Sequence, residues 1–176
     1  MMRKTLVATL VLGLLVMAGT ALGGPKKVNP APPAKQSFLE AFQQLSKTAA
    51  LDEASIKASL DVYLTADKEK SNQFFAFFAG KPRGGSLFEK AISAVDFRAP
   101  QQGAKGPFLY VELKAAAALP VTDLEQRFGK PDEVQAQPPP NPITVIYVYK
   151  SALGPVRFGL SSDQKQVLTA TIDRTE

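Results

Sequence analysis

The chain of 176 residues contains no cysteine, no histidine and no tryptophan. Each absence removes a class of chemistry. Without cysteine there is no disulfide, no thiol nucleophile and no thiolate metal site, so the fold must rest on its apolar core. Lipid anchoring of the bacterial kind, through a Cys directly after a signal peptide, is excluded as well. Without histidine there is no Ser-His-Asp triad, no imidazole base near neutral pH and no imidazole metal ligand. Catalysis would have to rest on carboxylates, Lys, Tyr or Ser, and no cofactor or metal is expected. Charge of one sign is also scarce. The formal net charge of +5 includes Arg3 and Lys4; without them 19 basic residues face 16 acidic ones. That excess, mostly in Lys26, Lys27 and the stretch Lys81 to Lys114, falls short of a nucleic-acid-binding stripe.

What is present begins with an address. Arg3 and Lys4 precede the apolar run Thr5–Ala18 and the small residues "GTALGG". A basic start, an apolar core and a small-residue exit predict a secretory signal peptide over 1–23, cut after Ala21 or Gly23. An uncleaved anchor is the alternative, but the run is shorter than the about 20 apolar residues that span a bilayer. The Pro-rich, polar stretch 24–36, "GPKKVNPAPPAKQ", reads as a flexible or polyproline-like linker. With about 150 residues left after cleavage, one domain, 37–176, is feasible.

Helical signals come first. Ser37 and Glu40 have capping-box spacing, and Phe38, Leu39, Phe42 and Leu45 share one helical face. Asp52 can cap a second helix with Ile56, Leu60 and, at its end, Tyr63 or Leu64 inward, and "TADKEKS" (65–71) reads as a charged connection. The Phe-dense run Asn72–Ala79 is expected as a third helix, stopped by Gly80-Lys81-Pro82. The period then changes from helix to strand. In "GPFLYVELK" (106–114), Leu109, Val111 and Leu113 alternate with Tyr110, Glu112 and Lys114, a half-buried strand. Further strands are expected at 92–98, Ile143–Lys150, Val156–Ser161 and Val167–Ile172. Between them "VTDLEQRFGKPDEV" reads as a two-turn helix and structural corner. Thr122 and Glu125 would cap it, Leu124 and Phe128 pair, Gly129 closes it at positive φ, and Pro131 forbids continuation. "FAGKP" (78–82) and "FGKP" (128–131), each followed by a Val/aromatic strand and then a Gly-Pro strand opening, suggest tandem units 66–114 and 115–173, with chance as the competing account.

Thr122, Leu124, Phe128, Gly129, Pro131, Tyr147 and Tyr149 carry a resemblance. Leu119–Ile172 resembles the SmpA/OmlA (BamE-like) family of small outer-membrane-assembly proteins and the β-lactamase-inhibitory-protein-like fold, which repeats such a unit in tandem. The resemblance implies an exported, non-enzymatic, protein-binding domain. The chain departs from that family in lacking the anchoring Cys and in having "LPVT" where Gly often precedes the helix-start Thr.

Candidate sites follow from residue types. Lys81, Arg83 and Ser86, in "GKPRGGS", would bind an anion if Ser86 opened a helix; a polar turn is the competing reading. Ser162 to Lys165 has Ser-x-x-Lys spacing, but in an expected turn. Phe74, Phe75, Phe77 and Phe78 would form a partner-binding or peripheral membrane wedge, or pack under the sheet. Pro138 to Pro142 reads as a stiff connection, and Asp67, Glu69, Asp132 and Glu133 as solvated charges. Tyr147 and Tyr149 share a strand face that would either bind a partner or bury against a helix.

The expected fold is α+β: N-terminal helices packed on an antiparallel sheet of about five strands. The expected function is an exported, non-enzymatic protein-interaction domain of the bacterial cell envelope, periplasmic or extracellular, with Tyr147, Tyr149 and Phe75 against an envelope protein partner and no nucleic acid. The alternative is an exported small-ligand or anion-binding protein using Lys81, Arg83 and Ser86, or an enzyme using carboxylate and Lys chemistry.

Overall fold

The computed structural model describes residues 37–117, 119–138 and 143–175. The expected signal and linker over 1–36, and most of the proline connection, lie outside the described residues. Helix α1 (Phe38–Lys47) starts where the Ser37 hydroxyl accepts the Glu40 N–H at 3.2 Å, and it buries Phe38, Leu39, Phe42 and Leu45. Helix α2 (Glu53–Leu60) starts with a reciprocal box: Asp52 Oδ1 accepts the Ser55 N–H, and Ser55 Oγ accepts the Asp52 N–H. It ends on Asp61, which takes the left-handed conformation at φ 48°.

Four strands follow: β1 (Val62–Asp67), β2 (Phe75–Pro82), β3 (Ile92–Pro100) and β4 (Phe108–Leu113). Helix α3 (Val121–Phe128) then leads into β5 (Glu133–Ala136), β6 (Val145–Tyr149), β7 (Val156–Leu160) and β8 (Val167–Asp173). The strands form one open antiparallel sheet in the order β1-β2-β3-β4-β8-β7-β6-β5. Helix followed by a four-stranded meander therefore occurs twice, and β4 pairs with β8 where the two meanders meet.

This overturns the α+β expectation of helices on about five strands. Among the described residues the sheet has eight strands, accompanied by three short helices. The principal correction is Asn72–Ala79, a strand instead of a helix. The Phe run covers more than one helical face, whereas a strand sends alternate residues to two faces. Phe78 thereby packs against Phe97 in the core, and Phe75 and Phe77 go to the other side. Asn72 Oδ1 accepts the N–H groups of Phe74 and Phe75 at 2.9 and 3.0 Å, which turns the chain into the strand. "FAGKP" accordingly lies in β2 and ends no helix. In the observed doubling α2 corresponds to α3, whose first residues are Glu53 and Val121.

The corner after α3 is built differently at its two ends. Among the described residues no side chain caps α3 at its start. Instead the Val121 N–H donates to the Lys165 carbonyl at 3.0 Å, so the β7–β8 turn holds the helix. At its end Gly129 has φ 82°, as a closing glycine requires, but ψ −162° sends the chain out extended. That region is open essentially to glycine alone. Leu124 is fully buried, while half-buried Phe128 packs on Phe158 and Tyr149 at 4.9 and 5.4 Å between ring centroids.

The two Gly-Pro strand openings converge on one place. The Asp173 N–H donates to the Pro155 carbonyl and the Arg174 N–H to the Pro107 carbonyl, both at 3.0 Å. A Cβ on Gly154 would lie 2.2 Å from the Asp173 carbonyl oxygen, and one on Gly106 2.2 Å from that of Arg174. Beyond this pinch the Arg174 guanidinium donates to the carbonyls of Ser46, Thr48 and Ala49 at the end of α1.

Gly106→Ala is expected to cost about 1–3 kcal/mol through backbone displacement. Gly84→Ala, at a site with no atom within 4 Å, should stay within about 0.5 kcal/mol. Urea melts of both variants check this difference. In the same assay Leu124→Ala should cost about 2–5 kcal/mol, and half-buried Phe128→Ala less than the about 3–5 kcal/mol of a fully buried Phe.

Candidate functional site

Strand alternation sorts every sheet residue onto one of two faces, and the register fixes which residues share them. One face carries Val62, Leu64, Val95, Phe97, Val111 and Phe158 and forms the core with the helices. The other faces solvent. In strand order it carries Tyr63, then Phe75 and Phe77, then Asp96 and Arg98, then Phe108, Tyr110 and Glu112. Past the β4–β8 junction it continues with Thr171 and Asp173, Arg157, and Val148. Its first half is aromatic and its second half polar, apart from Val148, which is buried.

Arg98 is the centre of the aromatic half. Its direct cross-strand neighbours are Phe77 on β2 and Phe108 on β4. The guanidinium carbon lies 5.1 Å from the Phe77 ring centroid and 4.5 Å from that of Phe108. Each such contact contributes about 0.5–1 kcal/mol at an exposed site. Nε lies 3.5 Å from Asp96 Oδ1. A long side chain that would otherwise sample many rotamers is thus held between two rings and a carboxylate. Phe75 packs edge-on to Phe77 at 6.4 Å, and Tyr63, 60% exposed, lies under the Arg83 guanidinium at 4.7 Å. Tyr110 stands opposite Asp96 and Thr171, and burial, then Glu112 and Asp96, push its phenol pKa up. The hollow between Asp67, Phe77 and Asp96 holds about 120 Å³, below the about 300–1,000 Å³ of small-molecule sites.

In the polar half Arg157 Nη1 bonds Asp173 Oδ2 at 2.7 Å. Burial pushes the Asp173 carboxyl up, but bonds from the Thr175 hydroxyl and N–H and from Arg157 outweigh it and hold the group below its ordinary value.

The candidate residues read from sequence are scattered over these surfaces. Phe75 lies on the solvent face. Tyr147 and Tyr149 point to the core side: Tyr149 is 7% exposed and donates its hydroxyl to the Gly129 carbonyl at 3.2 Å, and Tyr147 packs partly buried against the core. Lys81 is exposed on the solvent face, whereas Arg83 is engaged by Tyr63 and by Asp61 at 3.5 Å. Ser86 opens a turn, not a helix. The Gly85 N–H there donates to the Glu89 carboxylate at 2.7 Å, so the loop supplies its own anion. Asp132, expected to be solvated, is exposed but accepts the Lys150 N–H at 2.7 Å. The polar reading of Ser162–Lys165 agrees with a turn in which Asp163 accepts the Ser161 hydroxyl.

Sequence reasoning missed Asp96, Arg98 and Phe108. The alternation of β4 already placed Tyr110 and Glu112 together, and the same parity holds Phe108. Arg98 joins them only through the register of β3.

Tyr149 makes the structure pH-sensitive at the alkaline end. Burial, with smaller contributions from Glu125, Tyr147 and Asp132, pushes its pKa up from 10.0 to about 12. The folded state therefore holds this proton more tightly than the unfolded state. Its stabilisation is complete below pH 10 and is lost as pH rises through about 12,. Denaturation midpoints should fall as pH rises from 10.0 to about 12, and those of Tyr149→Phe should fall less steeply over that range. Comparison of the chain with protein-family models, with curated proteins and with solved structures gives no match.

Proposed function

We propose that the protein is an exported, non-enzymatic interaction domain of the bacterial cell envelope, docking a partner protein on the aromatic half of the sheet's solvent face. The observation that carries this reading is Arg98 held between Phe77 and Phe108 beside Asp96. Binding hot spots are enriched in Arg and aromatic residues, and ordering a long side chain in advance lowers the entropy lost on association. The apolar surface of Phe75 and Phe77 gives such a partner area to bury, and the polar half supplies a rim. The signal-like start of the chain and the resemblance of Leu119–Ile172 to the BamE-like family favour the same function. The absence of His and Cys disfavours most hydrolytic mechanisms.

The test is photo-crosslinking in intact cells, with the label placed at Phe75 or Tyr110 on the solvent face, or at Asp123 on α3. One discrete protein adduct is expected from both sheet positions and none from Asp123. Arg98→Ala should reduce the adduct at least about fivefold, since losing a hot-spot side chain costs more than about 1 kcal/mol, while the melt falls by no more than the loss of its two ring contacts, about 1–2 kcal/mol, explains and the variant stays folded. Equal labelling from all three positions, or an adduct indifferent to Arg98→Ala, refutes the assignment.

A further inference from the structure

A separate pocket of about 300 Å³ opens at the ends of α1, α3 and β6, on the helix side of the sheet. Its apolar lining comes from Phe128, Tyr149 and Val156, and Lys47, Lys130 and Lys150 line it as well. Three cations around an aromatic floor have two explanations. They either complement the negative ends of the two helices or await a ligand.

The hydrogen bonds decide between these. The carbonyls at the end of α1 are taken by Arg174. At the end of α3, Gln43 Nε2 donates to the Arg127 carbonyl and the Tyr149 hydroxyl to that of Gly129. The helix ends are thus supplied by other donors. Among the described residues no carboxylate pairs with Lys47, Lys130 or Lys150, and no hydrogen bond engages their ammonium groups. The carboxylate in the lining, Asp132, accepts the Lys150 backbone N–H, and Glu125 also acts on Tyr149. The Ser46 hydroxyl donates back to the Gln43 carbonyl within α1, and the Ser151 hydroxyl to the Gly154 carbonyl within its own loop. Among the described lining residues, the side-chain donors left for an incoming group are the three ammonium groups and the second Nε2 hydrogen of Gln43,.

We propose that this pocket binds small amphipathic anions, with a carboxylate or phosphate head among Lys47, Lys130 and Lys150 and an apolar body against Phe128, Tyr149 and Val156. The site is independent of the solvent-face reading. A body of a few carbons suits a pocket at the lower end of the ligand-site range, about 300 Å³. The contribution of exposed ammonium groups to such binding is screened by salt.

Octanoate, octyl phosphate and inorganic phosphate, titrated into the intact protein and followed by NMR shifts of Val156 and Tyr149, test the proposal. Both octyl compounds should shift these signals saturably, inorganic phosphate much more weakly. The triple variant Lys47→Gln, Lys130→Gln, Lys150→Gln should lose at least about tenfold in affinity with an unchanged melt. Sedimentation with phosphatidylglycerol vesicles that the triple variant loses assigns the head group to a lipid; saturable octanoate binding without sedimentation assigns a free anion. Absence of any shift or sedimentation, or binding that survives the triple substitution, overturns the proposal.

Discussion

The pairing of β4 with β8 is the constraint on which the rest depends. Each half of the chain makes a four-stranded meander with its own helix, and each meander alone would leave a long inner edge of unpaired backbone groups. Register between Phe108–Glu112 and Thr169–Asp173 removes both edges at once and fuses the two apolar surfaces. The helices then cross the seam. Phe42 of α1, from the first half, packs edge-on to Phe158 of β7 in the second at 5.7 Å. Gln43 reaches α3, and Arg174 reaches back to the end of α1. The doubling of elements is therefore one of topology, while the core is shared.

The same pairing determines what the solvent face offers. Aromatic residues from β2 and β4 stand on either side of Arg98, and at the seam their row gives way to Thr171 and the Arg157–Asp173 pair. Exposed aromatic side chains carry a standing cost in hydration and aggregation risk. Here part of their surface is covered by the Arg98 guanidinium, which stacks on the Phe77 and Phe108 rings,.

Local signals in the sequence were legible where one element decides its own structure. The caps at Ser37 and Asp52, the alternation of 108–113 and the strands at 92–100, 145–149, 156–160 and 167–173 all belong to that class. The losses have a common physical origin. β1, β2 and β5 owe their structure to neighbours: β2 pairs on both sides, and only those partners make a Phe-rich, helix-compatible run extended. Thr122 and Glu125 had capping spacing, but the β7–β8 turn at Lys165, 44 residues beyond Val121 (165 − 121), supplied the acceptor instead. The site was lost for the same reason. Phe77, Arg98 and Phe108 are 21 and 10 residues apart along the chain, and nothing in their spacing announces that they touch.

The recurrence of Gly-Pro before β4 and before β7 shows how a repeated motif can report a single contact. Read locally, Gly106-Pro107 and Gly154-Pro155 are two ordinary turns. In space both flank Asp173–Arg174, where each proline carbonyl accepts an N–H and each glycine leaves room for a carbonyl oxygen. Proline suits the position because its carbonyl is the group required and its missing N–H is not. Glycine suits it because any Cβ would meet backbone, which cannot rotate away. The repeated dipeptide thus follows from one strand end being gripped from both sides. The place where the two halves look most alike in sequence is where they are least able to act separately.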